Sequence, residues 1–314
     1  MSKLEDLLKG AESVALSGHI RPDGDCVGSV MAVCLYLKKN MPNMEVKVFL
    51  ETPSSVFECI KGIEDIDSNM DTMEEYDAFI ALDCNAERLG DAQPIFEKAK
   101  TKINIDHHVS NPGCGDINIV VPDASSTCEV VYDLMDPEKL DVEIAKALYI
   151  GIIHDTGVFK YSNTLPKTMQ TAANLIGYGF DFSKIIDETF YEKTYLQTLV
   201  CAKAVSESVC FMEEKCIFSV VDKEMMEFYG VGPKDLDGVI NQLRIVKGVE
   251  CAIFMYQTGN MEYKVSMRSN GLVNVSDIAS FFGGGGHVRA AGCTMKGTVH
   301  DVINNLSTRI ALQI

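Results

Sequence analysis

Through its first half the chain alternates short apolar stretches with longer amphipathic ones, and no other feature constrains its fold as strongly. ESVALSGH (12–19), MEVKVFLE (44–51), YDAFIALDC (76–84) and TKINIDHH (101–108) read as strands. CVGSVMAVCLYLKKN (26–40), STCEVVYDLM (126–135) and DVEIAKALYIGIIHDTG (141–157) read as helices. Strands alternating with helices imply an α/β fold, a parallel sheet covered on both faces. In such a sheet the carboxyl ends of the strands form the ligand crevice.

Those strand ends carry an unusual load. The stretch SGHIRPDGDC crowds His19, Asp23 and Asp25 into one loop, bent by Pro22 and Gly24. Asp83 ends the strand in IALDCN, Asp106, His107 and His108 follow KINI, and Asp155 lies where a helix gives way to Gly157. A lone Asp-x-Asp is usually a solvated turn, and a lone Asp83 could be a helix cap. Parallel neighbours, however, would deliver all of these side chains to one crevice. Two like charges about 4 Å apart repel by about 4 kcal/mol at an effective dielectric of about 20. Several such pairs would consume most of a domain's stability of about 5–15 kcal/mol. Divalent cations remove that penalty. His19 and Asp23 can reach one ion and Asp25 another, with Asp83 able to bridge both. Imidazole and carboxylate without thiolate favour Mn²⁺, Fe²⁺ or Co²⁺, with Mg²⁺ behind them. Two ions about 3.5–4 Å apart lower the pKa of a shared water and neutralise the phosphoryl oxygens it attacks, which suits phosphoester hydrolysis.

The second half changes character. Residues 182–211 have helical periodicity with no Gly or Pro and read as a helical connector. KCIFSVVDK reads as a strand, KDLDGVINQLRIVKG as a helix and CAIFMYQTGNMEYKVSMRS as a hairpin turning at Thr258-Gly259-Asn260. The helix VSDIASFF runs into GGGGHVRAAG, and TVHDVINNLSTRIALQ forms a last helix. Without Cβ atoms, Gly283 to Gly286 could turn successive N–H groups towards one anion. HVRAAG would then begin a helix whose amino end also favours negative charge.

The set HIRPDGD, ALDCN, IDHH and HDTG, in that order and spacing, resembles the DHH phosphoesterase family. SMRSN followed by IASFFGGGGHVRAAG resembles the DHHA1 domain that accompanies it. The resemblance spans most of the chain and is closest to the nano-RNase/pAp-phosphatase group. It implies an N-terminal parallel-sheet DHH catalytic domain (1–181), a helical linker (182–211) and a smaller α/β DHHA1 substrate-binding domain (212–314), with the active site in the interdomain cleft. It implies His19, Asp23 and Asp83 around a first metal and Asp25, Asp83, His107 and Asp155 around a second, Mn²⁺ ahead of Mg²⁺, Co²⁺ or Fe²⁺. His108 would face the scissile phosphate and Asp106 would orient a ligand imidazole. Arg268, Ser269, Gly284, Gly285, Gly286 and His287 would hold the nucleotide, and Arg88 fits a basic position near the phosphate. The implied activity is two-metal-dependent hydrolysis of short oligoribonucleotides to mononucleotides and of 3′-phosphoadenosine 5′-phosphate (pAp) to AMP and phosphate. The alternatives are a cyclic-di-AMP or pApA phosphodiesterase, an inorganic pyrophosphatase and, outside enzymes, a nucleotide-binding sensor.

Composition narrows the partners. A net charge of −17 repels a long phosphate backbone, so short oligoribonucleotides or small adenine nucleotides are expected and long nucleic acid is not. The 11 cysteines form no C-x-x-C pair and read as reduced core residues. Cys84 is set aside as a ligand because strand alternation turns it away from Asp83. No apolar run reaches the length of about 18 residues needed to cross a bilayer. MSKLEDLLKGAESV reads as a charged helix with a Ser2-x-x-Glu5 capping box and without the basic patch and apolar core of a signal peptide, so a cytoplasmic protein is expected. A homodimer would be unsurprising. His154 and His300 read as structural, and Tyr161 as either a core aromatic or a neighbour of the site.

Overall fold

The computed structural model describes residues 3–72 and 74–314. Ser2, the expected cap, lies outside them, and helix α1 (Leu4–Leu7) is a single turn before the chain extends. The chain divides into two compact units, 1–192 and 193–314.

The first unit contains β1 (Ser13–Ser17), α2 (Gly24–Asn40), β2 (Glu45–Val48), β3 (Ala78–Leu82), α3 (Gln93–Lys98), β4 (Thr101–Asp106) and β5 (Ile117–Val120). It continues with α4 (Thr127–Leu134), α5 (Val142–Asp155), α6 (Pro166–Ile176) and α7 (Phe182–Ile186). The strands lie in the order β2-β1-β3-β4-β5, every pair parallel. Every residue of β3 is buried, as a strand covered on both faces requires. Ile80 and Leu82 turn to the cluster built with α2, α4 and α5, whereas Phe79 and Ala81 turn to Ile95 and Phe96 of α3. At Gly28 a Cβ would lie 2.6 Å from the Ala147 carbonyl oxygen, so only glycine lets α2 pack this closely on α5. The order also makes β1, β3 and β4 consecutive neighbours, so the residues following them emerge side by side.

The segment 182–211 is not one helix. After α7 a π-helical turn covers Asp187–Tyr191, the backbone becomes extended at Glu192, and α8 (Tyr195–Ser206) starts afresh. Thr194 sets that start, its hydroxyl accepting from Gln197 N (3.2 Å) while Gln197 Oε1 accepts from Thr194 N (2.9 Å). The break therefore has a local chemical cause.

The second unit follows α8 with β6 (Val209–Phe211), β7 (Cys216–Val221), α9 (Lys223–Tyr229), α10 (Val239–Arg244), β8 (Cys251–Gly259) and β9 (Glu262–Ser269). It ends with α11 (Val275–Phe281), β10 (Gly285–His287), β11 (Ala290–Lys296) and α12 (Val299–Ile310). Its sheet runs β10-β11-β9-β8-β7-β6, antiparallel except between β7 and β8. Val265, Met267 and Cys293 pack under Ile278 of α11 and Leu306 of α12. Ala252 and Phe254 pack on the opposite side with Val200 of α8 and Leu243 of α10. Two expectations need correction. The helix read at 234–248 is interrupted by Gly238 at φ +90°, and HVRAAG does not open a helix. Gly285, Gly286 and His287 instead pair with Gly292, Ala291 and Ala290 as a β-hairpin.

Candidate metal centre

Three neighbouring strand ends and three helix ends build the site. Asp83 follows β3, its N–H continuing the ladder to the Ile105 carbonyl (3.0 Å) while its φ of +59° turns the side chain out of the strand. Asp23 caps α2, accepting from the N–H groups of Asp25 (3.1 Å) and Cys26 (3.2 Å). Asp25 is 1 % exposed and lies against the amino end of α4, taking Thr127 N (2.6 Å) on Oδ2 and Cys128 N (2.9 Å) on Oδ1. A helix amino end stabilises a carboxylate there. Asp155 is the last residue of α5.

Each of three imidazoles has Nδ1 beside a fixed acceptor. His19 Nδ1 lies 2.9 Å from the Ile20 carbonyl, His107 Nδ1 3.3 Å from the Ala124 carbonyl, and His108 Nδ1 2.7 Å from Asp106 Oδ1. Held through Nδ1, each ring turns Nε2 away from its anchoring acceptor, towards a metal at His19 and His107 and as a further N–H at His108.

The converging atoms form two groups that share Asp83. His19 Nε2 stands 3.4 Å from Asp83 Oδ2 and 3.6 Å from Asp23 Oδ1. His107 Nε2 stands 3.7 Å from Asp83 Oδ1, 3.9 Å from Asp25 Oδ2 and 3.4 Å from Asp155 Oδ2. The two oxygens of one carboxylate thus face two different imidazoles. Asp106 is not part of either group in the manner expected of a residue orienting a ligand. It receives the N–H groups of His107 and His108 and holds the ring of His108.

The electrostatics fit a divalent ion. Burial and then the neighbouring Asp83 push the Asp25 carboxyl well up, and burial and then Asp25 raise Asp155 to about 8. Burial disfavours charge on His19, but Asp23 and Asp83 outweigh it and raise the imidazole to about 10. Burial likewise opposes the charge on Asp23, and His19 outweighs it, lowering the carboxyl to about 2. The hydrogen bond to the Asp106 carboxylate raises His108 to about 9 against burial and the nearby Arg88. Buried carboxylates and imidazoles that retain protons for want of another cation form a donor set suited to a hard or borderline metal. The Cys26 sulfur also lies within 4.8 Å of donor atoms of His19 and Asp83, but burial and Asp83 raise its thiol well above the ordinary value, leaving it protonated. Cys84 turns its side chain to the opposite cluster and contributes its carbonyl to Asn104 and Asn111.

The remaining expected residues fall as follows. Arg88 is exposed on the turn after Asp83, and its carbonyl accepts from Ile20 N (2.8 Å). In the second unit, His287, Ala290 and Arg268 stand in register across β10, β11 and β9, so their side chains share one face with the small Ala290 between them. Ser269 lies elsewhere, fully buried with its hydroxyl on Glu250 Oε1 (3.0 Å). Gly283 N and Gly284 N donate to the Ser280 and Ala279 carbonyls of α11, so these two amides close a helix and do not line an anion cradle. His154 is packed edge-on against Phe57 and Phe190 beneath Gly24, and His300 is exposed on α12 beside Asn304. Tyr161 is 43 % exposed with its ring over Gly157. Sequence reasoning missed Ala124, Thr127 and Cys128, whose signal was the helix start SST before an apolar run.

The model of the DHH family N-terminal domain matches residues 13–152, and that of the DHHA1 domain matches residues 213–312. The bifunctional oligoribonuclease and PAP phosphatase NrnA of Thermus thermophilus is 30% identical over 301 residues, 95% of this chain and 89% of that protein. An exopolyphosphatase-related protein from Bacteroides fragilis superposes with a TM-score of 0.88 at 23% identity, covering 98% of this chain and 94% of that one. RecJ from Thermus thermophilus, solved in complex with Mn²⁺, shares the fold at a TM-score of 0.54 and 13% identity over 98% of this chain and 52% of its own. This chain belongs to the DHH family, a DHH N-terminal domain followed by a DHHA1 domain.

Proposed function

We propose that the chain hydrolyses short oligoribonucleotides to mononucleotides and converts pAp to AMP and phosphate, using two divalent ions with Mn²⁺ the preferred metal. That it is a metal-dependent phosphoesterase rests on its family and on its similarity to the oligoribonuclease and PAP phosphatase of Thermus thermophilus. The single observation that carries the reading is the placement of Asp83, one oxygen towards His19 and the other towards His107. His19, Asp23 and Asp83 would hold one ion, and Asp25, Asp83, His107 and Asp155 the other. Bound there, two divalent ions supply charge for the phosphoryl oxygens and a more acidic water.

The residues of the chain do the rest. Asp25 is anchored on both oxygens, so it meets its ligand without reorganisation. His108 is steered by Asp106 to present Nε2 as a donor to a phosphoryl oxygen. Arg268 and His287 line one face of the second sheet and are assigned to the nucleotide phosphates, with Gly285 and Ala290 leaving the backbone approachable. Ser269 supports the turn after β9 through Glu250. Arg88 supplies positive charge near His108.

A substrate panel with Mn²⁺ tests the reading, comparing pAp, pApA, cyclic di-AMP, pyrophosphate and a length series of RNAs. Mononucleotides released fastest from di- to tetranucleotides, together with phosphate from pAp, are expected. A preference for cyclic di-AMP or pyrophosphate would replace the proposed substrate, and binding without turnover would leave a sensor.

A further inference from the structure

The bridging placement of Asp83 needs something to hold the carboxylate plane. Rotation of a carboxylate about its last torsion is soft, with no sharp staggered wells. Left to itself, Asp83 could turn both oxygens towards the same imidazole. One neighbour prevents this. The Thr127 hydroxyl donates to Asp83 Oδ1 at 2.9 Å, with both residues buried and 44 positions apart in the chain. Oδ1 is the oxygen facing His107, so the hydroxyl occupies one lone pair and leaves the other towards that imidazole.

Thr127 is itself held from two directions. Its own N–H is fixed on Asp25 Oδ2, so one residue touches two of the acidic side chains. Behind it, the carboxylate of Glu129, 1 % exposed, accepts from Ser125 Oγ (2.5 Å) and Thr168 Oγ1 (2.8 Å) and locks the turn that leads into α4. A threonine at the first position of a helix has no need of a distant acceptor for its hydroxyl, because the cap at Ser126 already serves the helix through Glu129 N (3.1 Å). The hydroxyl of Thr127 is therefore free to serve Asp83.

We propose that Thr127 is a positioning residue, its hydroxyl orienting the Asp83 carboxylate so that one oxygen faces each of two metal positions. The inference rests on the two-ion reading above, and its chemistry is that of a donor outside the ligand set steering a ligand within it.

Three proteins distinguish the outcomes: the wild type, Thr127→Val, which keeps the shape and the N–H but removes the hydroxyl, and Thr127→Ser, which restores it. Each is stripped of metal, melted without metal, and titrated with Mn²⁺ while free Mn²⁺ is followed by electron paramagnetic resonance. Thr127→Val is expected to bind Mn²⁺ about 10–100-fold more weakly than the wild type. Its metal-free melting temperature should be unchanged, and Thr127→Ser should recover most of the affinity. At saturating Mn²⁺, Thr127→Val should lower kcat with little change in KM for pAp. Wild-type affinity in Thr127→Val would overturn the proposal. So would a loss matched by a fall in metal-free melting that Thr127→Ser fails to repair. Should the wild type bind no Mn²⁺ at all, the two-ion reading itself would fall, a result distinct from equal binding in the two proteins.

Discussion

Asp155 shows how the site opposes the stability of its own fold. Burial and the charge of Asp25 both disfavour its ionised form, and a neutral isostere relieves both. Metal-free Asp155→Asn should therefore melt above the metal-free wild type near neutral pH, by about 2–4 °C for each kcal/mol relieved, while losing most Mn²⁺ affinity and turnover. Calorimetry of the stripped proteins checks the first half, and a melting point below that of the wild type would contradict it. At this scale the acidic side chains were legible because Asp83 and Asp106 stand where apolar strands end, Asp155 where an apolar helix ends, and Asp23 and Asp25 where one begins. The groups that hold them were not. Thr127 N reaches Asp25 across 102 positions of sequence, and nothing in a local pattern encodes such a partner. Asp106 was recognised as an orienting group, and which imidazole it holds, that of His108, is set by how the two adjacent side chains turn.

Among the elements, the glycine run illustrates how a local reading can miss a hairpin. Four consecutive glycines carry no side-chain periodicity, so neither a helix nor a strand announces itself, and Ala-Ala then favours a helix by propensity. Packing decides otherwise. A Cβ on Gly286, at φ +145°, would lie 2.5 Å from the Ala290 carbonyl oxygen, and one on Gly284 would collide with the backbone of Gly292. Gly285 has nothing within 4 Å. Gly286→Ala should thus destabilise the second unit by about 1–3 kcal/mol, whereas Gly285→Ala should leave its melting unchanged. Thermal melts of the two variants settle the point, and equal stability would contradict the hairpin packing. The break before α8 was legible in principle, since Thr194-x-x-Gln197 is a capping box. The parallel strand β3 was the clearest element because burial on both faces gives it a continuous apolar run, AFIAL.

For the molecule as a whole, charge and architecture act together. A chain of net charge −17 gains little from a long polyanion, whereas a small anion needs only a few local donors, the role proposed for Arg268 and His287. No helix among the described residues is long and apolar enough to cross a membrane. The proposed chemistry depends on whether the first unit brings two cations together across Asp83. The most direct test is electron paramagnetic resonance of the protein loaded with two equivalents of Mn²⁺. The account predicts the spectrum of an exchange-coupled pair, replaced by that of isolated ions when Asp83 is changed to Asn. Isolated-ion spectra from the wild type at full loading, or saturation at a single equivalent, would contradict it.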